Sequence, residues 1–354
     1  MTDRSGVPLN RRTLLGAAAV LGVGLAGIGG FLVSEDIVGP WRLTAWRMVD
    51  RLEAAAGGHF PGYRRNHAKG VAVSGYFDSN GSGAELSKAS AFRPGRYRLA
   101  GRFSLGGGNP HMPDDPTAPR GLGLQLFLPG GEQWRMAMVN VPVFLDATPE
   151  DFYTRTTAFA PDPATGKPDP EKMKQHLATH PETAAALDII GRTPPAPGFV
   201  GSTFYGLNAF ECIAHDGRRV PVRWHLEPET APSAENNGGA GLFAPLIRRI
   251  AAGPLRWTLV LVVGVPGVDP THDATKPWPD DRRRIAVGTV VVDRVHTEAV
   301  GNVEAVAFDP LVLPDGLAPS DDPLLAARSA AYAESFRRRS AEPTAPGAVV
   351  AEEA

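Results

Sequence analysis

The residues of this sequence best suited to chemistry lie near its C-terminal end. The segment from Pro323 to Arg339, PLLAARSAAYAESFRRR, consists of good helix formers with a proline in the first turn. At about 100° per residue, Tyr332 lies about 40° from Arg328 and about 20° from Arg339, so the three share one helix face. A phenol, with a reference pKa of about 10, is an anionic metal ligand only where a metal and a fixed cation such as Arg328 favour the phenolate. Taken alone, the pattern is more often a solvated helix face.

The elements that must position this face are mostly strands. Stretches rich in β-branched, aromatic and alternating residues, separated by turn-forming clusters, are typical of antiparallel strands. Eight of them occur, at 71–77, 96–105, 121–130, 134–145, 205–215, 218–226, 256–265 and 284–295. Eight such strands suggest a closed barrel. We also expect a short amphipathic helix between Trp41 and Gly57, and a helical insertion over 169–191 that is broken near Pro181.

Composition excludes several classes of protein. With 40 glycines and 34 prolines among 354 residues, the chain cannot form a long coiled coil or a helical solenoid. The hydrophobic content of 43% is enough for a large core. A net charge of −2 and the lack of a long basic run make nucleic acid a poor candidate partner. The single cysteine, Cys212, can form neither an internal disulfide nor a site of several thiolates.

The N-terminal residues read as a targeting segment. Residues 13–34 carry no charge, and at about 1.5 Å per residue they are long enough to cross the hydrocarbon core of a bilayer. Arg11 and Arg12 directly precede them, as in a twin-arginine export signal. Residues 1–35 are therefore interpreted as a removed signal or as an anchor in the inner membrane, with a buried core helix as the remaining alternative. Both main interpretations predict an exported protein of the periplasm or cell envelope.

Short motifs spread along the chain resemble those of one known family. They occur in one order, as RRNHAKG (64–70), RFS (102–104), PRG (119–121), NVPVF (140–144), DATKPWP (273–279), FDP (308–310) and RSAAY (328–332). Together they are far more specific than any one of them alone. By these motifs the chain resembles the catalase superfamily and, within it, the short catalase-related haem peroxidases.

The resemblance implies a fold and a cofactor. The fold is α+β, with an antiparallel eight-stranded β-barrel of catalase type surrounded by helices over residues 41–340. Only 22 residues follow Tyr332, so we expect no C-terminal helical domain, and residues 341–354 are expected to be a disordered tail. The implied cofactor is haem b, with Tyr332 as the ligand of its iron and Arg328 beside it. Without the long N-terminal arm that interlocks catalase tetramers, a monomer or homodimer is expected.

The resemblance also implies roles on the other side of the ring. His67 is the implied catalytic acid and base, because a neutral imidazole can take a proton from one peroxide oxygen and return it to the other. Ser104 is implied to bond the second ring nitrogen and fix its tautomer. For these two residues the ordinary alternatives are an unremarkable histidine and a strand hydroxyl that faces solvent.

A further set of residues is implied to hold the cofactor. Aromatic rings would wall the distal cavity, and arginines would pair with the propionates, a role that suits the forked guanidinium group. These residues are Phe144 and Phe152 for the cavity wall, and Arg64, Arg102 and Arg339 for the propionates. Ordinary core aromatics and exposed surface charges are the alternatives.

One position departs from the pattern of full catalases. Where those enzymes have an asparagine that steers peroxide, this sequence has Val139, and Asn140 matches only the second asparagine of the motif. Asn140 is counted among the candidate catalytic residues. The loss of a polar donor at Val139 should weaken the oxidation of a second peroxide molecule, so catalase activity is expected to be weak or absent.

Two functions follow from these observations. The first is a haem peroxidase that reduces hydrogen peroxide or organic peroxides and oxidises small organic reductants. The alternative keeps the pocket but makes the protein a haem carrier, or a peroxide-binding module without significant turnover. Oxidation of a guaiacol-type donor, and its dependence on His67, distinguishes the two.

Overall fold

The computed structural model describes residues 43–162, 165–194, 196–230, 241–298 and 305–351. The chain divides into two units, Met1–Thr44 and Ala45–Ala354, and the fold below is that of the second unit. The predicted signal or anchor at 1–35 lies outside the described residues. None of the helices that the structure describes is long and apolar enough to cross a membrane.

All strand pairs in the sheet are antiparallel, and the sheet closes on itself. The strands are β1 (Gly70–Ser79), β2 (Gly95–Leu105), β3 (Arg120–Phe127), β4 (Gln133–Val139), β5 (Phe204–Tyr205), β6 (Phe210–Ile213), β7 (Arg219–Pro228), β8 (Leu255–Val263), β9 (Arg284–His296) and β10 (Leu317–Pro319). Their order is β10-β6-β7-β5-β4-β3-β2-β1-β9-β8, and β7 also pairs with β8. This last pairing closes a ring of eight strands from which β6 and β10 extend. The predicted eight-stranded antiparallel barrel is confirmed.

The fifth predicted strand, 205–215, is interrupted. Its two parts, β5 and β6, pair in succession with the same strand, β7. Leu207 lies between them with φ 64°, in the left-handed region that strand backbone does not adopt. Only β5 is therefore part of the closed ring, while β6 pairs on its other side with β10.

Large aromatic side chains fill the interior of the barrel. Trp134 and Trp257 are 0% and 1% exposed, and Phe103 lies 5.8 Å from the Trp257 ring and from that of Phe204. Such packed rings contribute a large part of the burial that stabilises a domain of this size. Because the interior is filled by side chains, a site for a large ligand must lie outside the barrel wall, between the strands and the helices.

In the part of the chain that the structure describes, six helices surround the barrel. They are α1 (Ala45–Ala55), α2 (Pro149–Ala158), α3 (Pro170–Thr179), α4 (Pro181–Arg192), α5 (Phe243–Ala251) and α6 (Pro323–Ser340). The predicted helical insertion with a break near Pro181 corresponds to α3 and α4. Helix α6 begins where predicted, because the carboxylate of Asp322 accepts a hydrogen bond from the N–H of Leu324 at 2.9 Å and Pro323 occupies the first turn.

The segment after α6 differs from the predicted disordered tail. Glu342 accepts a hydrogen bond from the N–H of Gly62 at 2.7 Å and forms an ion pair with Arg65. At residue 351, Ala351 is 6% exposed, and its N–H donates to Thr297 Oγ1 at 3.1 Å. These contacts were not visible in the composition of the segment, because their partners lie far away in the sequence. Residues 352–354 lie outside the described part of the chain.

Candidate active site

One cavity brings together nearly all the predicted site residues. It lies between the outer face of the barrel and helices α1, α2 and α6. Its volume, including the part that is open to solvent, is about 1270 Å³. The predicted residues that line it are His67, Ser104, Arg64, Arg102, Phe144, Phe152, Arg328, Tyr332 and Arg339. Asn140 is not among its lining residues.

Residues of β2, β3 and β4 that stand opposite one another in the sheet form the floor of this cavity. Ser104 on β2 stands opposite Gly121 on β3, which in turn stands opposite Val139 on β4. In the next row, Arg102 stands opposite Gly123, which stands opposite Ala137. Since alternate residues of a strand face the same side, the two rows belong to one face of the sheet. The two glycines have no side chain of their own, and the space beside them is used by neighbouring rings, that of His67 at Gly121 and that of Phe308 at Gly123.

Helix α6 carries the tyrosine and its cation. Arg328 and Tyr332 lie one turn apart and both line the cavity, as the spacing predicts. The guanidinium group of Arg328 donates to Asn208 Oδ1 and, at 3.0 Å, to the carbonyl oxygen of Ala137. Asn208 is fixed in turn, because its Nδ2 donates to Asp322 Oδ2 at 2.7 Å. The carboxylate that begins α6 therefore also orients the arginine beside Tyr332.

His67 is held in an uncommon backbone conformation. Its φ is 57°, which is rare for a residue other than glycine. The N–H of His67 donates to Asn66 Oδ1 at 3.0 Å, and its carbonyl oxygen accepts a hydrogen bond from Arg102 Nη1 at 2.6 Å. On the ring, Nδ1 lies 3.2 Å from Ser104 Oγ. Ser104 is thus within hydrogen-bonding distance of one ring nitrogen, as the resemblance implies, and backbone and ring are both restrained.

The surroundings of His67 favour its neutral form. Burial, helped by three nearby guanidinium groups, lowers the pKa of His67 from 6.5 to about 4. These groups belong to Arg102, Arg328 and Arg64. Near pH 7 the imidazole is therefore uncharged and can accept a proton, as a general base must.

Three arginines and one glutamate form a charged cluster at the edge of the cavity. Arg64 and Arg339 each donate to the carbonyl oxygen of Val306, at 2.9 and 3.2 Å. Arg102 forms a forked pair with the carboxylate of Glu298, with N–O distances of 2.7 and 2.8 Å. The three arginines lie together as predicted. However, Arg102 also bonds two backbone carbonyl oxygens, so it has far fewer donors for a propionate than the prediction assumed.

Part of the cavity wall is apolar. The rings of Phe144 and Phe152 stack with their centroids 6.0 Å apart and an angle of 11° between their planes. Val139 also lines the cavity. Both phenylalanines line the cavity, and their role beside a bound ring stays a prediction.

Asn140, which is predicted to be a catalytic residue, does not line the cavity. Its Oδ1 accepts a hydrogen bond from the N–H of Arg120 at 2.7 Å, and its side chain is buried away from the cavity. Neighbouring residues of an extended chain point to opposite sides, so Val139 on the cavity side turns Asn140 away from it. Asn140 therefore holds the start of β3, and its catalytic role stays a prediction.

Comparison with known proteins agrees with this geometry. The family model Catalase matches residues 34–240 and 268–344. The chain belongs to the catalase family. A catalase-related peroxidase of Synechococcus elongatus is 35% identical over 91% of this chain and 94% of its own length. A second catalase-related peroxidase, from Mycolicibacterium paratuberculosis, is 32% identical over 84% of this chain and 95% of its own length.

Solved catalases share the fold of this catalase-family chain. Catalase A of Saccharomyces cerevisiae matches with a TM-score of 0.70 and 23% identity, over 85% of this chain and 66% of the solved one. A fungal catalase gives the same TM-score over 85% of this chain and 64% of its own.

The residues of the cavity fit the haem that the catalase family implies. Among the described residues, the guanidinium groups of Arg64, Arg102 and Arg339 lie around the carboxylate of Glu298, and arginine is suited to binding a ligand with carboxylates. No residue in the described part of the chain forms a hydrogen bond with the hydroxyl of Tyr332, although this residue lines the cavity.

Proposed function

We propose that the protein is a haem peroxidase that reduces hydrogen peroxide or organic peroxides and oxidises small organic donors, with weak or no catalase activity. Its family and its catalase-related relatives support an oxidoreductase that acts on peroxide. The observation that carries the proposal is a neutral, restrained imidazole at His67 in the same cavity as the Arg328 and Tyr332 pair.

Each residue has a distinct task in this proposal. When bound, haem supplies the redox-active iron at which the peroxide O–O bond is cleaved. Tyr332 holds the iron, and Arg328, one turn before it, stabilises the negative charge of the phenolate. His67 takes the proton from the inner peroxide oxygen and delivers it to the outer one, which leaves as water or an alcohol. Overall, two electrons from the donors and two protons would complete the reduction of the peroxide to two molecules of water, or to one of water and one of an alcohol.

Haem b is the proposed form of the cofactor. The sequence contains a single cysteine, Cys212, so covalent attachment through two thioether links is impossible. Cys212 is 0% exposed in the barrel core, and burial raises its pKa to about 12, which leaves it an unreactive thiol. A haem held by Tyr332 and by ionic contacts to its propionates is consistent with these facts.

Val139 supports the proposed weakness of catalase activity. Oxygen release requires a second peroxide molecule to be held and oxidised in the same cavity. Val139, Phe144 and Phe152 line this cavity and carry no polar group for that purpose. Peroxide cleavage depends mainly on His67, so oxidation of another donor should suffer less.

Purified protein tests the proposal directly. We expect a tyrosinate-haem absorption spectrum, oxidation of guaiacol with hydrogen peroxide, and loss of most of that activity in His67→Ala. His215→Ala is the control, because His215 is exposed and does not line the cavity. A protein loaded with haem but without donor oxidation would be a carrier, and equal activity in His67→Ala and His215→Ala would exclude the acid and base role.

Localisation and assembly are part of the same proposal. We propose an exported protein of the periplasm or cell envelope, present as a monomer or homodimer. Residues 13–34 act either as a cleaved signal or as an anchor in the inner membrane, and they lie outside the described residues. The mass of the mature N-terminus in membrane and soluble fractions tests the first point. Light scattering of the haem-loaded protein tests the second.

A further inference from the structure

A buried carboxylate next to the cavity has no role in the function proposed above. The side chain of Glu298 is 8% exposed and that of its partner Arg102 is 3% exposed. Oε1 accepts from Arg102 Nε at 2.7 Å and Oε2 from Nη2 at 2.8 Å, so the two groups meet fork on fork. Glu298 lies two residues after the end of β9 and belongs to none of the motifs on which the resemblance rests.

The remaining bonds of Arg102 lead to His67. Its Nη1 donates to the carbonyl oxygen of His67 at 2.6 Å, and its Nη2 donates to that of Ala68 at 2.9 Å. Four of its five N–H groups are thus used, two by Glu298 and two by the peptide that carries the catalytic imidazole. The guanidinium group needs space, which Gly70 leaves, since a Cβ there would lie 2.5 Å from Arg102 Cζ.

The charges around Glu298 keep it ionised. Burial alone would raise its pKa, but Arg102, Arg64 and Arg339 outweigh burial and hold the pKa below the ordinary value. Arg64 Nε lies 3.9 Å from Oε1 of this carboxylate. The ionised carboxylate of Glu298 therefore binds Arg102 in one orientation. Arg64 and Arg339, the other charged residues of this cluster, repel the guanidinium group of Arg102.

We propose that Glu298 is a positioning residue, which through Arg102 fixes the backbone at His67 and so aims the imidazole at the bound peroxide. The inference rests on the proposed function, because it concerns how accurately a distal base is placed. His67 has a positive φ, a conformation that persists only where the surroundings hold it. The hydrogen bond from Arg102 to the carbonyl oxygen of His67 is such a restraint, and Glu298 holds Arg102 in place.

The test compares Glu298→Gln with Asp269→Asn in haem-loaded protein. Asp269 is a matched control, because it forms the same forked pair with Arg282 at 2.7 and 2.9 Å, its side chain is 2% exposed, and it does not line the cavity. The main readout is the rate at which cyanide binds the ferric protein, since hydrogen cyanide must give up a proton to a distal base. The absorption spectrum and the thermal unfolding temperature are recorded alongside.

We expect both variants to unfold at a lower temperature and to keep the wild-type spectrum. In Glu298→Gln the cyanide association rate should fall about tenfold or more, because small errors in placement of a catalytic group are costly. In Asp269→Asn it should stay within about twofold of the wild-type rate. Glu298→Asp, which keeps the charge but reaches less far, should fall between Glu298→Gln and the wild type.

The other outcomes overturn the inference in different ways. If Glu298→Gln binds cyanide as fast as Asp269→Asn does, the ion pair is only structural. If neither Glu298→Gln nor Glu298→Asp folds, the role is again structural, and the inference fails. If the wild-type protein takes up no haem, the proposed function fails and the inference with it, which the spectrum shows before any variant is made.

Discussion

Ser104 and Gly121 stand opposite each other on β2 and β3, and the space that Gly121 leaves is used by the imidazole of His67. A Cβ at Gly121 would lie 2.9 Å from Ser104 Oγ and 3.0 Å from His67 Nδ1. Both distances are shorter than ordinary van der Waals contacts. Only glycine therefore fits at position 121, next to the contact between the Ser104 hydroxyl and the His67 ring nitrogen.

Gly121→Ala should displace the imidazole without unfolding the barrel. The added methyl group forces Ser104 and His67 apart, and such overpacking costs about 1–3 kcal/mol. We expect kcat/KM for peroxide to fall by about tenfold or more while haem uptake persists. Gly191→Ala is the control, because no atom lies within 4 Å of a Cβ at that position. Equal kinetics in the two variants would show that the contact at Gly121 does not matter.

The acid limit of activity should lie unusually low. His67 must be neutral to accept a proton, and its pKa is lowered to about 4 by burial and nearby cations. As pH falls through that value the imidazole gains a proton and kcat/KM falls, whereas above it His67 stays neutral. The profile is measured between about pH 3 and pH 8, with the absorption spectrum as a check that the protein remains folded. If kcat/KM instead falls near the ordinary histidine pKa of about 6.5, water reaches the imidazole freely and the inferred pKa is wrong.

The barrel could be predicted because its signals are local. Alternation of apolar and polar residues marks a strand wherever one face is buried, and turn residues mark its ends. The same holds for the break at Pro181 and for the start of α6 at Pro323. The motif residues of the site could be assigned as a set, since the resemblance supplies their order.

Long-range partners could not be predicted in this way. Glu298 and Asn208 carry no local pattern, and their roles arise from contacts with Arg102 and Arg328 across 196 and 120 residues of sequence. The strand is interrupted at Leu207 because its backbone has a positive φ, and a leucine in the sequence does not indicate such a conformation. Among the partners of the site residues, Asn66 could have been detected from the sequence. An asparagine next to a functional histidine is suited to accepting a hydrogen bond from a nearby backbone N–H.

Tyr332→Phe should remove the characteristic absorption of tyrosinate-bound haem. The hydroxyl oxygen is the proposed iron ligand, and phenylalanine keeps the ring but offers no donor atom. We expect a changed spectrum, weaker haem retention and loss of peroxidase activity. Tyr76→Phe is the control, since Tyr76 contacts Arg96 on β2 and does not line the cavity. An unchanged spectrum in Tyr332→Phe would remove the basis for the proposed function.

Val139→Asn should raise oxygen release from hydrogen peroxide. Val139 lines the cavity in the row that contains Ser104 and Gly121, so an amide there would point towards the same space as the imidazole. The added donor can hold the second peroxide molecule that oxygen release requires. Oxygen evolution, measured with an electrode and divided by guaiacol oxidation, should rise several-fold, whereas Val139→Ala enlarges the cavity without a donor and should leave the ratio unchanged. If both variants raise the ratio equally, space rather than a hydrogen bond limits the reaction at this position.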